Sequence, residues 1–192
     1  MGRNSLLVAE KASVAKQLAQ LLAAKSKSKV SVLPSLSKYN PIYGLHYPFA
    51  NLGLDHSEEE KRQRYLKVTS VAGHINQLIT DPKLKVWSRD SCRSMFTCDL
   101  KKVIMPRFKD LAQNLRTVAQ DVDSVVLWLD CDREGENIAF DVVKLIRESD
   151  QTTKDLVVKR AHFSALTYSD LNHAMMNLKE PDSNFSDAAE TR

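Results

Sequence analysis

Four carboxylate side chains lie within seven residues of this sequence, at Asp130, Asp132, Glu134 and Glu136. Arg133 is the one basic residue among them. Like charges held close together oppose folding unless a positive charge compensates them. Mg²⁺ prefers oxygen ligands and keeps several waters, so two or three carboxylates are enough to hold it. The spacing therefore indicates a site for a divalent metal ion.

An acidic helix N-terminus is the alternative explanation, because carboxylates there interact favourably with the helix dipole. It accounts well for Glu134 and Glu136. It does not account for Asp130 and Asp132, which directly follow the apolar run Val125–Leu129. Residues two apart in extended backbone point the same way, so these two aspartates would share a direction. Taken alone, the D-x-D-x-E pattern leaves both explanations open.

A second acidic position follows the first predicted strand, Ser5–Ala9. Glu10 and Lys11 come directly after it, and we expect Ser13 to cap the helix that begins there. Ligands of α/β sheets gather beyond the carboxyl ends of the strands, which is where Glu10 would lie. Gly135 would permit a tight turn or a close backbone approach near the same edge.

Short apolar runs alternate with amphipathic segments along the chain, which predicts an α/β domain with a mostly parallel sheet. Thr167 and Asp170 have the spacing of a capping box, a signature of a helix start. The predicted strands are residues 5–9, 66–71, 125–129 and 156–160, and residues 39–71 are extended overall. The predicted helices start at Ser13, span Asp99–Ala119 with a break at Pro106, span Asn137–Arg147, and start at Thr167. Residues 25–29 and the charged run 58–64 are predicted loops.

The composition excludes several classes of protein. The chain has 192 residues, 43% of them hydrophobic, which suits one domain with a short appendage. Three cysteines without a C-x-x-C pair argue against a disulfide framework and a structural zinc site. No apolar stretch is close in length to the roughly 20 residues that a membrane-spanning helix needs. We expect a soluble protein of a reducing, intracellular compartment, and the net charge of +4 permits a nucleic-acid partner.

Five blocks, in order over nearly the whole chain, resemble the TOPRIM domain of type IA DNA topoisomerases. The acidic block alone would indicate only TOPRIM, which primases, some nucleases and type II topoisomerases share. The other blocks favour the eukaryotic topoisomerase III branch. The blocks are Val8–Lys11, Thr69–His74, Leu129–Ile138, Arg160–Thr167 and Glu180–Arg192.

The resemblance implies a Rossmann-like TOPRIM domain over residues 4–180, with a mostly parallel sheet flanked by helices. Residues 181–192 would be a tail that leads into the next topoisomerase domain. The implied ligands of Mg²⁺ are Glu10, Asp130, Asp132 and Glu134. Lys11 would lie near the scissile phosphate and offset its charge in the transition state. Arg133 would either do similar work or pair with a neighbouring acid. His74 ranks below the acids, and His162 is assigned no role.

The family reaction is a transesterification, in which a tyrosine cleaves single-stranded DNA and holds its 5′ phosphate until the break is resealed. That tyrosine belongs to a Tyr-Pro-Arg-like block of a later domain, and no tyrosine of this chain stands in such a block. The resemblance also implies a nuclear protein with a RecQ-type helicase and an OB-fold accessory protein as partners. The alternatives are a stand-alone TOPRIM nuclease and a non-catalytic module that binds nucleic acid.

Overall fold

The computed structural model describes residues 4–48, 63–79, 88–94, 97–98, 100–148 and 156–190. Among the described residues, strands and helices alternate over residues 4–26 and 101–176, as the sequence predicts. The strands are β1 (Asn4–Ala9), β2 (Ser31–Leu33), β3 (Ile42–Pro48), β4 (Gln63–Ser70), β5 (Asn76–Ile79), β6 (Lys101–Ile104), β7 (Ser124–Trp128) and β8 (Val157–Arg160). The helices are α1 (Ala12–Ser26), α2 (Arg89–Ser94), α3 (Lys109–Ala119), α4 (Arg133–Arg147), α5 (Tyr168–Met176) and α6 (Ser183–Glu190).

The main sheet has the strand order β2-β3-β4-β1-β7-β8. Strands β4, β1, β7 and β8 run parallel to one another, whereas β3 is antiparallel to both β4 and β2. The prediction of a mostly parallel α/β sheet is therefore confirmed. Strands β1 and β7 lie at its centre, and the apolar run from Val125 to Trp128 is fully buried. Helices cover both faces of such a sheet, so a central strand needs apolar residues on both of its sides.

Side-chain alternation along β1 and β7 divides the core into two layers. Leu6 and Leu127 pack on one face of the sheet with residues of α3 and α4. Leu7 and Trp128 pack on the other face with residues of α1 and α5. Successive residues of a strand point to opposite faces, so each central strand contributes to both layers. The result is a three-layer arrangement with a Rossmann-like appearance.

The predicted helix Asp99–Ala119 is wrong in its first part. Lys101–Ile104 forms β6, which pairs antiparallel with β5 in a separate two-stranded sheet. The prediction that Pro106 interrupts the segment is confirmed. Met105 before it is extended, as residues preceding proline tend to be, and a 3₁₀ turn at Pro106–Phe108 leads into α3.

Two helix starts also differ from the predictions. Ser13 does not cap α1, because the capping position is Lys11, which makes no side-chain capping hydrogen bond, and Ser13 lies within the first turn. Helix α4 begins at Arg133, four residues before the predicted start at Asn137. Asp132 caps it by accepting a hydrogen bond from the backbone N–H of Gly135. The acidic turn and the helix start are therefore one structural feature.

Segments predicted as loops or tail also contain regular structure. Helix α1 continues to Ser26 and ends at Lys27, whose φ of 53° is left-handed. Residues 58–62 of the predicted charged loop lie outside the described residues, and Arg64 belongs to β4. Residues Ser183–Glu190 of the predicted tail form α6, which packs against α4. None of the helices that the structure describes is long and apolar enough to cross a bilayer.

The predicted cap at Thr167 is confirmed, since its hydroxyl accepts a hydrogen bond from the backbone N–H of Asp170 at 3.3 Å. The Asp170 carboxylate accepts the backbone N–H groups of Ser164 and Ala165, at 2.7 and 2.6 Å. These bonds lower the pKa of Asp170, Ala165 contributing most. The cap therefore fixes both the start of α5 and the loop before it.

Replacing Thr167 with alanine should lower the free energy of unfolding by about 1 kcal/mol, because a helix N–H loses its acceptor. Urea unfolding followed by circular dichroism measures the change. Ser169→Ala is the matched control, because Ser169 is exposed in the first turn of the same helix. Equal effects of the two substitutions would contradict the capping assignment.

Candidate metal centre

The neighbouring strands β1 and β7 end at the same edge of the sheet and bring Glu10 and Asp130 together. Their register pairs Ala9 with Trp128, so Glu10 lies one residue and Asp130 two residues beyond the paired residues. Oε2 of Glu10 accepts a hydrogen bond from the backbone N–H of Asp130 at 3.2 Å. Glu10 is largely buried, with 17% of its side chain exposed, whereas the Asp130 side chain is 53% exposed. The predicted convergence of these two strand ends is therefore present.

The ammonium group of Lys11 lies between the two carboxylates. Nζ is 3.6 Å from Glu10 Oε1 and 3.4 Å from Asp130 Oδ2. The negative charge of Glu10, and then that of Asp130, raises the pKa of Lys11 above its usual value. This pair of acids thus already accommodates a positive charge in front of it.

Asp132 and Gly135 shape the turn that follows Asp130. Oδ1 of Asp132 accepts the N–H of Gly135 at 2.7 Å. A Cβ atom on Gly135 would lie 2.0 Å from the carbonyl oxygen of Asp130, so no larger residue fits without movement. The close backbone approach predicted at Gly135 is confirmed, and it folds the first turn of α4 back onto the end of β7.

Glu134 points towards the segment that follows β4. Its Oε1 is hydrogen-bonded to Nε2 of His74. Nδ1 of the same ring lies 3.6 Å from Oδ2 of Asp141, a buried residue two turns further along α4. Lys102 of β6 completes the group, with Nζ 2.7 Å from Asp141 Oδ1. His74 therefore connects an exposed acid of the candidate site to a buried one, and the β5–β6 sheet supplies the neighbouring cation.

These contacts change the proton affinities of His74 and Asp141. The Asp141 carboxylate contributes most to a raised pKa of His74, and Glu134 adds to it against the opposing effect of burial. Burial alone would raise the pKa of Asp141, but His74 and Lys102 outweigh it and lower that pKa. Charge-assisted contacts of this kind favour the imidazolium and carboxylate forms together.

Arg133 lies exposed in the first turn of α4 and forms no ion pair with any residue that the structure describes. It lines a cleft of about 390 Å³ between the start of α4 and the end of α6. The cleft is lined by Asp132, Arg133, Glu134, Ala188 and Ala189. An exposed guanidinium beside such a cleft can bind an anion.

The candidate ligands are present at one edge but are not gathered around one point. Within the described ranges, no three His, Cys, Asp or Glu side chains converge closely enough to hold a metal ion. Glu10 and Asp130 share Lys11, Asp132 caps α4, and Glu134 contacts His74. The donors are nevertheless carboxylate oxygens, which suit a hard cation. The position of the Lys11 ammonium shows that a cation fits between two of them.

The sequence prediction did not recognise the side chains behind the acidic turn. Arg160, at the end of β8, is fully buried and forms an ion pair of 2.8 Å with Glu136, which is also buried. The sequence pattern accounts for Glu136 only as part of an acidic helix start. An arginine that ends an apolar strand was the one available signal. His162, two residues later, has a lowered pKa because of partial burial, and then because of the charges of Arg160 and Lys179.

A Rossmann-like sheet with an acidic carboxyl edge defines the class of this domain, and comparison with known proteins identifies its family. The Toprim domain family matches residues 5–166, so the chain belongs to the Toprim domain family. Toprim domains bind divalent metal ions.

The resemblance to topoisomerase III is also confirmed. The chain is 34% identical to DNA topoisomerase 3-alpha of Arabidopsis thaliana, over 97% of this chain and 18% of the relative. It is 32% identical to DNA topoisomerase 3 of Dictyostelium discoideum, over 100% and 21%. Identity to the human DNA topoisomerase 3-alpha is 31%, over 99% and 17%. The chain thus spans about a fifth of the length of these relatives.

The fold is similar to that of a solved structure, full-length topoisomerase I from Thermotoga maritima. The TM-score is 0.57 at 17% sequence identity, and the match covers 97% of this chain and 23% of the other. At this identity the match supports the fold alone.

In the metal-free protein, His74 should titrate above its ordinary pKa of 6.5 and His162 below it, as measured by NMR of the imidazole protons. Asp141→Asn should lower the pKa of His74, because the largest cause of the shift is removed. A raised folded pKa stabilises the fold fully below pH 6.5, and this contribution is lost as pH rises through the folded pKa. His74→Gln should therefore destabilise the protein more in acidic than in alkaline buffer. A His74 midpoint at or below that of His162 would refute the assigned network.

Proposed function

We propose that this chain is the Mg²⁺-binding domain of a type IA DNA topoisomerase of the topoisomerase III branch. The observation that carries the proposal is the pair Glu10 and Asp130, which the parallel strands β1 and β7 bring together around the Lys11 ammonium. Glu10, Asp130, Asp132 and Glu134 would hold the metal ion. The domain would span residues 4–180, with residues 181–192 leading into the next domain.

Each side chain has a role in the proposal that its position supports. A bound Mg²⁺ would supply positive charge that stabilises a phosphodiester during cleavage and religation. Lys11 is exposed at the same edge and would neutralise charge on the scissile phosphate. Arg133, beside the cleft between α4 and α6, would bind the DNA backbone or a neighbouring acid. These groups form the phosphate-binding half of an active site.

The nucleophile of the reaction would come from another domain, because no tyrosine of this chain lies in a Tyr-Pro-Arg-like block. The substrate would be DNA, as the names of the relatives suggest, and the resemblance to type IA topoisomerases makes it single-stranded DNA. We also propose that the protein is nuclear. Its partners would be a RecQ-type helicase and an OB-fold accessory protein. A stand-alone nuclease would need its own general base or a second metal ion. No group of three or more His, Cys, Asp or Glu side chains within the described ranges converges closely enough to hold a second metal ion.

Isothermal titration with Mg²⁺ tests the proposed ligands. Glu10→Gln and the double substitution of Asp130 and Asp132 by Asn should each raise the Kd by about tenfold or more, because each removes carboxylate charge from the site. Asparagine remains a good helix cap, so the start of α4 should survive.

Asp121→Asn is the matched control, because Asp121 is an exposed carboxylate near the opposite edge of the sheet, where it pairs with Lys67. Its Kd should equal that of the wild type. Equal heats of Mg²⁺ binding for the wild type and for Glu10→Gln would rule out the proposed ligand set. A wild type that binds no metal ion would favour a non-catalytic module.

Incubation of this chain with labelled single-stranded DNA and Mg²⁺ should give no adduct that resists denaturant, because the nucleophilic tyrosine is missing. Denaturing gel electrophoresis detects such an adduct. A full-length relative such as the Arabidopsis topoisomerase 3-alpha serves as the positive control. A covalent adduct with this chain would show that the nucleophile lies within it.

A further inference from the structure

Arg160 lies directly behind the acidic turn, with none of its side chain exposed. Each of its three side-chain nitrogens donates to a nearby oxygen. Nε donates to Oε1 of Glu136 at 2.8 Å, and Nη1 donates to the carbonyl oxygens of Leu127 and Ala161, each at 3.1 Å. Nη2 donates to the carbonyl oxygen of Asp130 at 2.6 Å. The guanidinium therefore joins the ends of β7 and β8 to the first turn of α4.

Glu136 extends this network to the segment before α6. Its Oε1 binds Arg160, and its Oε2 accepts the backbone N–H of Asp182 at 3.3 Å. Only 6% of the Glu136 side chain is exposed. A buried carboxylate stays charged when an equally buried cation and further hydrogen bonds compensate it. The ion pair thus holds four segments in one arrangement.

Both peptide groups of Asp130 are fixed by partners. Its N–H donates to Glu10, and its carbonyl oxygen accepts from Arg160 at 2.6 Å. Gly135 packs so closely on this carbonyl that a Cβ atom would clash with it. With the backbone held on both sides, the Asp130 side chain leaves the turn towards Glu10 and Lys11.

We propose that Arg160, together with Glu136, is a positioning residue that holds Asp130 ready for the metal ion. This inference rests on the proposed function. Arg160 is completely buried and binds the carbonyl rather than the carboxylate of Asp130, so it acts on the metal site only through that residue. Without it, the Asp130 carbonyl would lose its buried donor, and the Asp130 carboxylate would no longer be held towards Glu10.

Lysine cannot replace arginine here. The planar guanidinium presents donors in a fixed fork, whereas lysine presents three donors from a single point. Arg160→Lys keeps the positive charge beside Glu136 but cannot reach the carbonyl groups of Leu127, Ala161 and Asp130 together. The substitution therefore separates the positioning of Asp130 from the compensation of Glu136.

Arg64 provides a matched control within the same sheet. Its side chain is 2% exposed, and it binds the hydroxyl groups of Ser5 and Ser124 and the carboxylate of Asp123. These contacts lie at the amino ends of β1 and β7, opposite the acidic edge. Arg64→Lys thus disturbs a buried arginine of the same two strands without touching Asp130.

The test is the affinity for Mn²⁺, a paramagnetic substitute for Mg²⁺ whose free concentration is read by electron paramagnetic resonance. Thermal unfolding of each variant sets a temperature at which it is folded. Arg160→Lys should raise the Kd about 10- to 100-fold, the usual cost of losing a residue that orients a metal ligand. Arg64→Lys should lower the Tm comparably and leave the Kd unchanged. Glu136→Gln, which keeps its shape but weakens the hold on Arg160, should raise the Kd to an intermediate value.

The outcomes separate the inference from the function on which it rests. If Arg160→Lys and Glu136→Gln keep the wild-type Kd while Asp130→Asn loses binding, the metal site stands. Only the positioning role of Arg160 is then overturned. An equal rise of Kd in Arg64→Lys also overturns it, because the effect would then reflect general stability. No Mn²⁺ binding by the wild type overturns both the inference and the proposed metal site. If Arg160→Lys does not fold, the Kd values of Glu136→Gln and Arg64→Lys are compared. A higher Kd for Glu136→Gln supports the positioning role, and equal values overturn it.

Discussion

Repulsion among the carboxylates at the carboxyl ends of β1 and β7 is the constraint on which this structure depends. Glu10 and Asp130 meet there because their strands are parallel neighbours, and two basic residues hold them in place in different ways. Lys11 contributes from solvent, where screening makes its pairing weak. Arg160 contributes from the interior, where its fork of donors fixes the backbone of Asp130. The exposed Lys11 ammonium can be replaced at the carboxylates by another cation, whereas the buried Arg160 guanidinium stays in its hydrogen bonds.

The two buried arginines fix opposite ends of the central strands. Arg64 joins the amino ends through Ser5 and Ser124, and Arg160 joins the carboxyl ends through Leu127 and Asp130. Buried ion pairs contribute little net stability, since desolvation opposes the attraction between the charges. Their value in this fold is geometric, because they determine where the ends of buried apolar strands lie. Because the strand ends are fixed, the site residues that follow them are held in fixed positions as well.

The acids of the candidate site are oriented by the protein's own donors. Glu10 accepts the N–H of Asp130, Asp132 accepts the N–H of Gly135, and Glu134 contacts His74. A carboxylate offers about four acceptor positions, so one hydrogen bond orients it and leaves capacity for a metal ion. The contact between His74 and Asp141 ties this orientation to the helix that follows the turn. These hydrogen bonds therefore orient the carboxylates of Glu10, Asp132 and Glu134 before any cation binds.

The sequence by itself determined the features that local pattern controls. Burial on both faces makes Val125–Leu129 continuously apolar, so the central strand was recognisable, as were the cap at Thr167 and the acidic edge with Glu10. Only the tertiary structure decided that Lys101–Ile104 is a strand, that α4 starts at Arg133, and that Arg160 and Glu136 form the buried pair behind Asp130. The sequence separation explains the difference. Arg160 lies 24 residues from Glu136, and His74 lies 60 residues from Glu134. No local pattern records such partners, because they meet only after the strands have taken their order in the sheet.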